Sequence, residues 1–267
     1  MKSYKHSKRV LLTGFSPFGK SSVNPSWEAV KQVQTDKDVE LIRLEVPTVF
    51  YKSARILEEC LKKTRPDLVL CIGQAAGRAE ITPERIAINI NDARIPDNEG
   101  NMPRNEFISQ DGAPAYFTGL DVDKIVEALQ LESIPARISF SAGTYVCNHL
   151  FYSLMDFIWR NDLAIIGGFV HIPCIPEQIG GDFSVSTPSL PLDVTLPGRS
   201  GISTAMIPQA AAARTGERNF LHIFCQPHIR ICFGRNGRSG QTKDPRRKEK
   251  ILRPSAVPKK RLTVFRQ

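Results

Sequence analysis

The feature that most constrains the fold is an alternation of short apolar runs with amphipathic helical patterns between Arg9 and His171. Runs rich in β-branched residues predict strands, and apolar stripes at helical spacing between them predict connecting helices. This alternation is typical of an α/β fold with a mixed, largely parallel sheet. Strands are predicted at Arg9–Thr13, Glu40–Val46, Leu68–Ile72, Arg85–Asn91, Arg137–Ser141 and Ala164–His171.

Four helices are expected between these strands. The first begins at Asn24, where the following proline occupies an early helical position at which its missing N–H is harmless. The others are predicted at Tyr51–Lys63, Val122–Leu131 and Asn148–Arg160, the last apolar enough to be buried. The segment Ile95–Tyr116 is polar and aperiodic, which predicts a long loop of a kind that is often functional.

The net charge of +9 is concentrated in the last part of the chain. Residues 197–267 contain 16 Lys and Arg but only 3 Asp and Glu, whereas residues 1–196 contain 20 basic and 24 acidic residues. The sequence therefore predicts an α/β domain over residues 1–196 and a disordered basic tail over residues 197–267. Nucleic-acid binding through this tail is an alternative function rather than the expected one, because no folded motif or aromatic interleaving accompanies the charge.

Cofactor and membrane chemistry are not expected. No run approaches the ~18 apolar residues of a membrane span, and the basic N-terminus precedes too few apolar residues for a signal peptide. A cytoplasmic protein without a membrane partner is therefore predicted. The six cysteines form no C-x-x-C motif and no zinc-like grouping with histidine, so neither a metal nor a disulfide framework is expected.

Three residues at predicted element ends could form a nucleophilic site. Cys147 lies where the loop Ser141–Tyr145 enters a helix, so the N–H groups and the macrodipole there favour a thiolate and could hold an oxyanion. His171 ends a predicted strand and Glu84 precedes one, which suits a base and the acid that orients it. Taken singly, a buried cysteine, a structural histidine and a surface ion pair of Glu84 with Arg85 explain the same residues.

Several separated motifs resemble the pyroglutamyl-peptidase I, or pyrrolidone-carboxylate peptidase, family. The resemblance covers about residues 9–193, and the motifs occur in the expected order. The segments that carry it are Thr13–Gly19, Asn24–Ser26, Val46–Thr48, Gly73–Arg78, Ile81–Asn89, Asp92–Asn98, Gly143–His149 and His171–Pro173.

This resemblance implies a cysteine peptidase that releases an N-terminal pyroglutamyl (5-oxoprolyl) group from peptides. It implies an α/β/α sandwich, no metal or cofactor, and a homo-oligomer, specifically a tetramer of identical chains. It implies Cys147 as the nucleophile, His171 as the general base and then acid, and Glu84 as the residue that orients His171. The positions that match the family's substrate site, with its oxyanion-side arginine at Arg94, are Phe15, Phe18, Thr48, Gln74, Arg94, Ile95, Tyr145 and Val146.

The implied substrate fits an apolar pocket. Pyroglutamate lacks the α-ammonium group that ordinary aminopeptidases bind with carboxylates, so its flat lactam ring requires an apolar slot with backbone hydrogen bonds. Phe15 and Phe18, three residues apart on a turn, are predicted to sandwich that ring. Plain core packing of the two rings is the alternative.

Two further alternatives concern the activity itself. A related cysteine amidase or thioesterase would use the same three residues on another acyl group. After Asp193 the resemblance gives way to about seventy basic residues, for which a change of reading frame or splicing is a hypothesis. Replacement of the family's closing helix would expose apolar surface, so an inactive or unstable chain is the other alternative.

Overall fold

The computed structural model describes residues 8–35, 37–181 and 183–195. The predicted tail lies outside these residues, and the domain boundary at residue 196 stays a prediction. The elements are β1 (Lys8–Phe15), α1 (Pro25–Gln32), β2 (Val39–Val46), α2 (Lys52–Thr64), β3 (Leu68–Gln74), β4 (Thr82–Pro83), β5 (Ile86–Ile88), β6 (Ala115–Phe117), α3 (Val122–Leu131), α4 (Val146–Arg160), β7 (Ile166–Ile172), a 3-10 turn at Pro176–Gln178 and α5 (Leu192–Thr195).

Five strands form one mixed sheet in the order β2-β1-β3-β7-β4. The first four are mutually parallel, and β4 pairs antiparallel to β7 at the sheet edge. In this register His171 of β7 lies opposite Gly73 of β3 on one side and Thr82 of β4 on the other. The carboxyl ends of the neighbouring strands β3 and β7 therefore lie side by side at one end of the sheet. Open α/β sheets place their functional sites at this end.

Helices cover both faces of this sheet. Alternate strand residues point to opposite faces, so Val10 contributes to an apolar cluster with α1 and α3, whereas Leu11 contributes to a second cluster with α2 and α4. Both residues are at most 1% exposed. The predicted α/β sandwich with a mixed, largely parallel sheet is confirmed.

Two predicted strands differ from the structure. The run predicted as Arg85–Asn91 is a strand only at Ile86–Ile88, which pairs with β6 in a separate two-stranded sheet. The run predicted as Arg137–Ser141 makes one isolated bridge, between Ser139 and Glu84, instead of a continuous ladder, and Ala136, just before the run, makes another with Ile81. Backbone bonds flank Pro83 on both sides, but proline has no N–H to donate between them.

Among the described residues, no helix combines the length and the apolar character that crossing a bilayer requires.

Candidate active site

The Cys147 thiol lies at the start of α4, directly above β3. This helix begins at Val146, earlier than the sequence predicted, and Cys147 is in its first turn. A Cβ atom placed on Gly73 would lie 3.0 Å from Cys147 Sγ and 2.7 Å from the ring of Phe169. Only glycine at position 73 therefore lets the thiol approach the end of β3 without displacing these neighbours.

The side chain of Asn148 fixes the beginning of α4. It is fully buried; its Oδ1 accepts from the Ile88 N–H at 3.1 Å, and its Nδ2 donates to the carbonyls of Ile88 and Ile90 at 2.9 and 3.1 Å. These three hydrogen bonds join the first helical turn to β5. The position of the adjacent Cys147 is thereby set by the small second sheet as well as by α4 itself.

His171 and Glu84 form a buried pair beside this thiol. Nδ1 of His171 lies 2.7 Å from Oε1 of Glu84, and both side chains are almost completely inaccessible to solvent. A carboxylate facing Nδ1 requires the proton on that nitrogen, which leaves Nε2 as the basic nitrogen of the neutral ring. Because His171 is registered opposite Gly73, and Cys147 Sγ lies over Gly73, the thiol and the imidazole occupy neighbouring positions at one sheet edge.

Burial sets the protonation states of this site. It raises the pKa of the Cys147 thiol to about 12, with a further contribution from the negative charge of Glu84. Burial also lowers the pKa of His171. For Glu84, burial opposes ionisation, but hydrogen bonds from groups that include His171 and Arg78 favour the carboxylate, and the pKa of the carboxyl is lowered. The resting site thus holds a neutral thiol, a neutral imidazole and a carboxylate, and desolvation outweighs the preference for a thiolate expected at a helix N-terminus.

Arg78 is a site residue that the reasoning from residue types missed. Its Nη1 donates to Glu84 Oε1 at 2.7 Å, and its Nη2 donates to the carbonyl of Ser141 at 3.0 Å. Arg78 closes the quoted motif Gly73–Arg78, so its presence there was the available signal. Gly77, at φ +88°, adopts the left-handed conformation that turns the chain into Arg78.

Tyr145 is the centre of an aromatic group next to Cys147. Its ring centroid lies 5.7 Å from that of Phe18 and 5.2 Å from that of Phe50, both in edge contacts. Its hydroxyl donates to the carbonyl of Pro96 at 2.9 Å. Phe18 and Tyr145, two of the predicted substrate residues, thus lie together, and Phe50 joins them although the sequence did not single it out.

The loop that carries Ile95 is ordered by one carboxylate. Asp97 accepts hydrogen bonds from the backbone N–H groups of Phe50, Glu99 and Asn101, at 2.8 to 2.9 Å. Part of the predicted long loop is therefore an ordered turn that these hydrogen bonds hold in place. The Ile95 side chain on this turn is 53% exposed.

Arg94, on the same loop, is exposed. Within the described ranges, no hydrogen bond or ion pair joins its side chain to another residue.

Three of the four remaining predicted substrate residues are buried. Phe15 is 2% exposed and packs against Phe169 at a centroid distance of 6.4 Å, and Val146 is fully buried in the same apolar cluster. Thr48 donates to the carbonyl of Ser16 at 2.9 Å. Contact of these three residues with a substrate stays a prediction.

Gln74 is turned toward the segment after β7. Its Nε2 donates to Cys174 Sγ at 3.1 Å and to Gln178 Oε1 at 3.0 Å. The side chain links the end of β3 to the 3-10 turn, and its contact with a substrate also stays a prediction.

His149 is the other described histidine near the thiol, and its two nitrogens are already used. Nε2 accepts from the Tyr51 N–H at 3.1 Å, and Nδ1 lies 3.1 Å from Oδ1 of Asn91. Burial lowers its pKa to about 4. These contacts make His149 a structural residue and leave His171 as the candidate base.

A search of the described residues finds no group of three or more His, Cys, Asp and Glu side chains arranged to hold a metal ion.

Comparison with known proteins gives a consistent result. A family model described as pyroglutamyl peptidase matches residues 8–209, which extends past Asp193, where the resemblance described above ends. The pyrrolidone-carboxylate peptidase of Bacillus velezensis is 57% identical over 189 residues, which span 70% of this chain and 86% of that protein. The pyrrolidone-carboxylate peptidase of Bacillus subtilis is 50% identical over 188 residues, with the same two coverages.

Solved structures agree with these sequence relatives. The crystal structure of Bacillus amyloliquefaciens pyroglutamyl peptidase I superposes with a TM-score of 0.71 at 53% identity, covering 77% of this chain and 98% of that chain. A mutant pyrrolidone carboxyl peptidase from the hyperthermophile Pyrococcus furiosus gives a TM-score of 0.70 at 36% identity, covering 76% and 98%.

Proposed function

The chain belongs to the pyroglutamyl peptidase family of cysteine-type omega-peptidases, and from that premise we propose that it releases N-terminal pyroglutamate from peptides through Cys147, His171 and Glu84. One observation carries this proposal. The Cys147 thiol lies over Gly73, the registered neighbour of His171, and His171 is paired with Glu84 at 2.7 Å.

The first half of the reaction forms a thioester. As Cys147 Sγ attacks the pyroglutamyl carbonyl carbon, its proton passes to Nε2 of His171, and Glu84 stabilises the resulting imidazolium through Nδ1. The tetrahedral intermediate collapses when the C–N bond breaks and Nε2–H protonates the departing amine. The shortened peptide leaves with its new amino terminus, and the pyroglutamyl group stays on sulfur.

The second half regenerates the enzyme. His171 removes a proton from a water molecule, whose oxygen attacks the thioester carbonyl. The C–S bond then breaks, Nε2–H returns the proton to sulfur, and free pyroglutamate departs. Both halves use His171 first as a base and then as an acid, which requires a neutral ring at the start of each.

The N-terminus of α4 suits the oxyanion of both tetrahedral intermediates. Tyr145 precedes the helix, but its hydroxyl is bonded to Pro96 instead of capping the helix. The backbone N–H groups of the first turn, including that of Cys147, therefore remain available to a developing negative charge. Arg94 supplies a positive charge on the neighbouring loop.

The aromatic group next to Cys147 suits a lactam ring. Phe18 and Tyr145 present flat apolar surface, and Ile95 adds an exposed aliphatic side chain on the ordered loop. The pyroglutamyl group of a peptide has no ammonium group and no charge, so apolar contacts and backbone hydrogen bonds can recognise it. An N-terminal proline would bring a charged amine into the same space, and its burial would be costly.

Hydrolysis of three fluorogenic amides by the full-length chain tests the proposal. We expect cleavage of the pyroglutamyl amide and at least ~100-fold slower cleavage of prolyl and glutaminyl amides. Preference for either of the latter would instead indicate a related cysteine amidase. Absence of all cleavage by a chain with a folded circular dichroism spectrum would indicate an inactive variant.

Replacing Glu84 by glutamine is expected to lower kcat/KM about 100-fold while preserving the fold. Because Arg78 donates to Oε1, the glutamine carbonyl takes that position and still accepts from Nδ1 of His171. The tautomer is kept and only the stabilising charge is lost, so the effect is smaller than the ~10,000-fold loss that accompanies a wrong tautomer. Steady-state kinetics measure it, with Glu80→Gln, which breaks a surface pair with Arg137, as the control. A loss of less than threefold would contradict a role for Glu84.

The pH dependence of kcat/KM is expected to show an acid limb with its midpoint below the ordinary histidine pKa of about 6.5. Burial lowers the pKa of His171, and protonated His171 has no lone pair on Nε2 to accept the thiol proton. Activity therefore persists as the pH falls to that lowered value and is lost below it. Initial rates measured from pH ~4.5 to ~8.5 test this, and a midpoint above 6.5 would contradict a neutral buried base.

The predicted tetramer and the predicted cytoplasmic location stay predictions. Light scattering on the purified full-length chain measures the first of these directly.

A further inference from the structure

We propose that Arg78 is a positioning residue for the reaction, because its guanidinium joins the carboxylate of Glu84 to the loop that leads into Cys147. The inference rests on the proposed function, since it assigns Arg78 an effect on the two residues that would exchange the proton. Arg78 itself contacts neither the thiol nor the imidazole in a hydrogen bond among the described residues.

The geometry places Arg78 at the junction of two chain segments. Nη1 lies 2.7 Å from Glu84 Oε1, the same oxygen that Nδ1 of His171 faces at 2.7 Å. Nη2 lies 3.0 Å from the carbonyl oxygen of Ser141. The planar guanidinium therefore binds the Glu84 carboxylate through Nη1 and, through Nη2, the carbonyl of Ser141 at the start of the loop that leads to Cys147. A lysine ammonium cannot reproduce this two-point geometry.

The loop beyond Ser141 is short and leads straight to the helix of the nucleophile. Gly143 adopts a left-handed φ of +79°, and the Thr144 hydroxyl donates a hydrogen bond to the carbonyl of Asp92 at 2.8 Å. The Arg78 contact fixes the other end of this loop. The Ser141 carbonyl also accepts from the Ser139 hydroxyl at 3.2 Å. Loss of Arg78 therefore leaves local contacts at Ser141 but removes the link from this loop to Glu84, which relaxes the placement of α4 relative to the Glu84–His171 pair.

The charge of Arg78 acts on the same groups. Within the described part of the chain, Glu84 and Arg78 act electrostatically on both His171 and Cys147, and the ionisable side chains of the buried Cys71 and of Tyr145 also interact with Cys147. The positive charge opposes protonation of His171 and favours ionisation of the thiol. Because Arg78 shares Oε1 with His171, it also weakens the carboxylate as a partner for an imidazolium, which keeps the resting ring neutral.

Two substitutions separate the charge of Arg78 from its double contact with Glu84 and Ser141. Arg78→Met removes both, whereas Arg78→Lys keeps the charge but not the two-armed contact. Arg137→Met is the matched control, because Arg137 pairs with Glu80 at the surface of the neighbouring segment. Each full-length variant is assayed for kcat/KM across pH and for the rate of Cys147 alkylation by iodoacetamide, read by peptide mapping, and its melting temperature confirms folding.

For Arg78→Met we expect the acid limb of kcat/KM to move up by on the order of one pH unit. We also expect kcat/KM at neutral pH to fall at least tenfold and alkylation of Cys147 to slow. Arg78→Lys is expected to keep the wild-type midpoint while kcat/KM still falls, and Arg137→Met to match the wild type. A merely structural role would lower the melting temperature without moving the midpoint.

A folded Arg78→Met variant with the wild-type midpoint and a kcat/KM within threefold of the wild type would overturn the inference. If Arg78→Met does not fold, an Arg78→Lys variant with wild-type kcat/KM overturns the claim that the contact of Arg78 with both Glu84 and Ser141 positions the site. Failure of the proposed function gives a different result, because the wild type then does not cleave the pyroglutamyl amide, while the alkylation profile of Cys147 still reports the effect of Arg78.

Discussion

Replacing Cys147 by alanine is expected to lower kcat/KM for a pyroglutamyl amide by at least about 10,000-fold. Among the described residues, the thiol that interacts with Cys147 is that of Cys71, which is fully buried. The loss of a nucleophile in comparable hydrolases removes most of the rate enhancement. The fold is expected to survive, because the sulfur lies over Gly73 at the sheet edge and the helix start is held separately by Asn148. Steady-state kinetics with a fluorogenic amide give the measurement.

Cys60→Ala is the matched control. Cys60 lies half-buried on α2, near Thr64 and outside the group of residues around Cys147. Its replacement is expected to leave kcat/KM within a factor of about two. Equal losses in the two cysteine variants would indicate a general effect of thiol removal, and retention of activity in Cys147→Ala would place the nucleophile elsewhere.

The second large effect is expected for His171→Asn, with a loss of about 10,000-fold in kcat/KM. The asparagine amide can occupy the position of Nδ1 and still donate to Glu84, so the buried carboxylate keeps a partner. What disappears is Nε2, the nitrogen that takes the thiol proton and protonates the departing amine. Kinetics and melting temperature together separate this chemical loss from unfolding.

His149→Gln provides the contrast to His171→Asn. Because His149 bonds to the Tyr51 N–H and to Asn91, its replacement is expected to lower the melting temperature while the folded enzyme keeps kcat/KM within about tenfold. If His149→Gln lost as much activity as His171→Asn at an unchanged melting temperature, the assignment of the base to His171 would be wrong.

Much of the fold and the candidate triad followed from local sequence patterns. Apolar runs located β1, β3 and β7 to within a few residues, because strands buried on both faces have continuous apolar sequences. The edge strand β2 was located from apolar residues interspersed with charged ones. Strand ends then indicated the sheet edge to which His171 belongs, and a small-residue loop before a helix indicated Cys147. An acid just before a predicted strand indicated Glu84, and the motif resemblance then implied the roles of all three residues. The structure places Glu84 Oε1 2.7 Å from Nδ1 of His171.

Other features depend on contacts that no local pattern records. The bond from Tyr145 to Pro96 and the contacts of Asp97 join residues far apart in the chain. Burial of the Cys147 thiol depends on packing across the sheet and reverses the ionisation that a helix N-terminus alone favours. The run Arg137–Ser141 has the composition of a strand, but its partner segment contains Pro83, which has no N–H.

Covalent labelling tests the central claim most directly. A chloromethyl ketone that carries the pyroglutamyl group is added to the full-length chain, residual activity is followed, and the modified residue is located by peptide mapping. We predict complete inactivation with one label per chain on Cys147, and much slower reaction with a chloromethyl ketone that lacks the lactam ring. Inactivation with the label on Cys60, Cys71 or Cys174, or full activity in a chain labelled at Cys147, would contradict the assignment of Cys147 as the nucleophile for pyroglutamyl peptides.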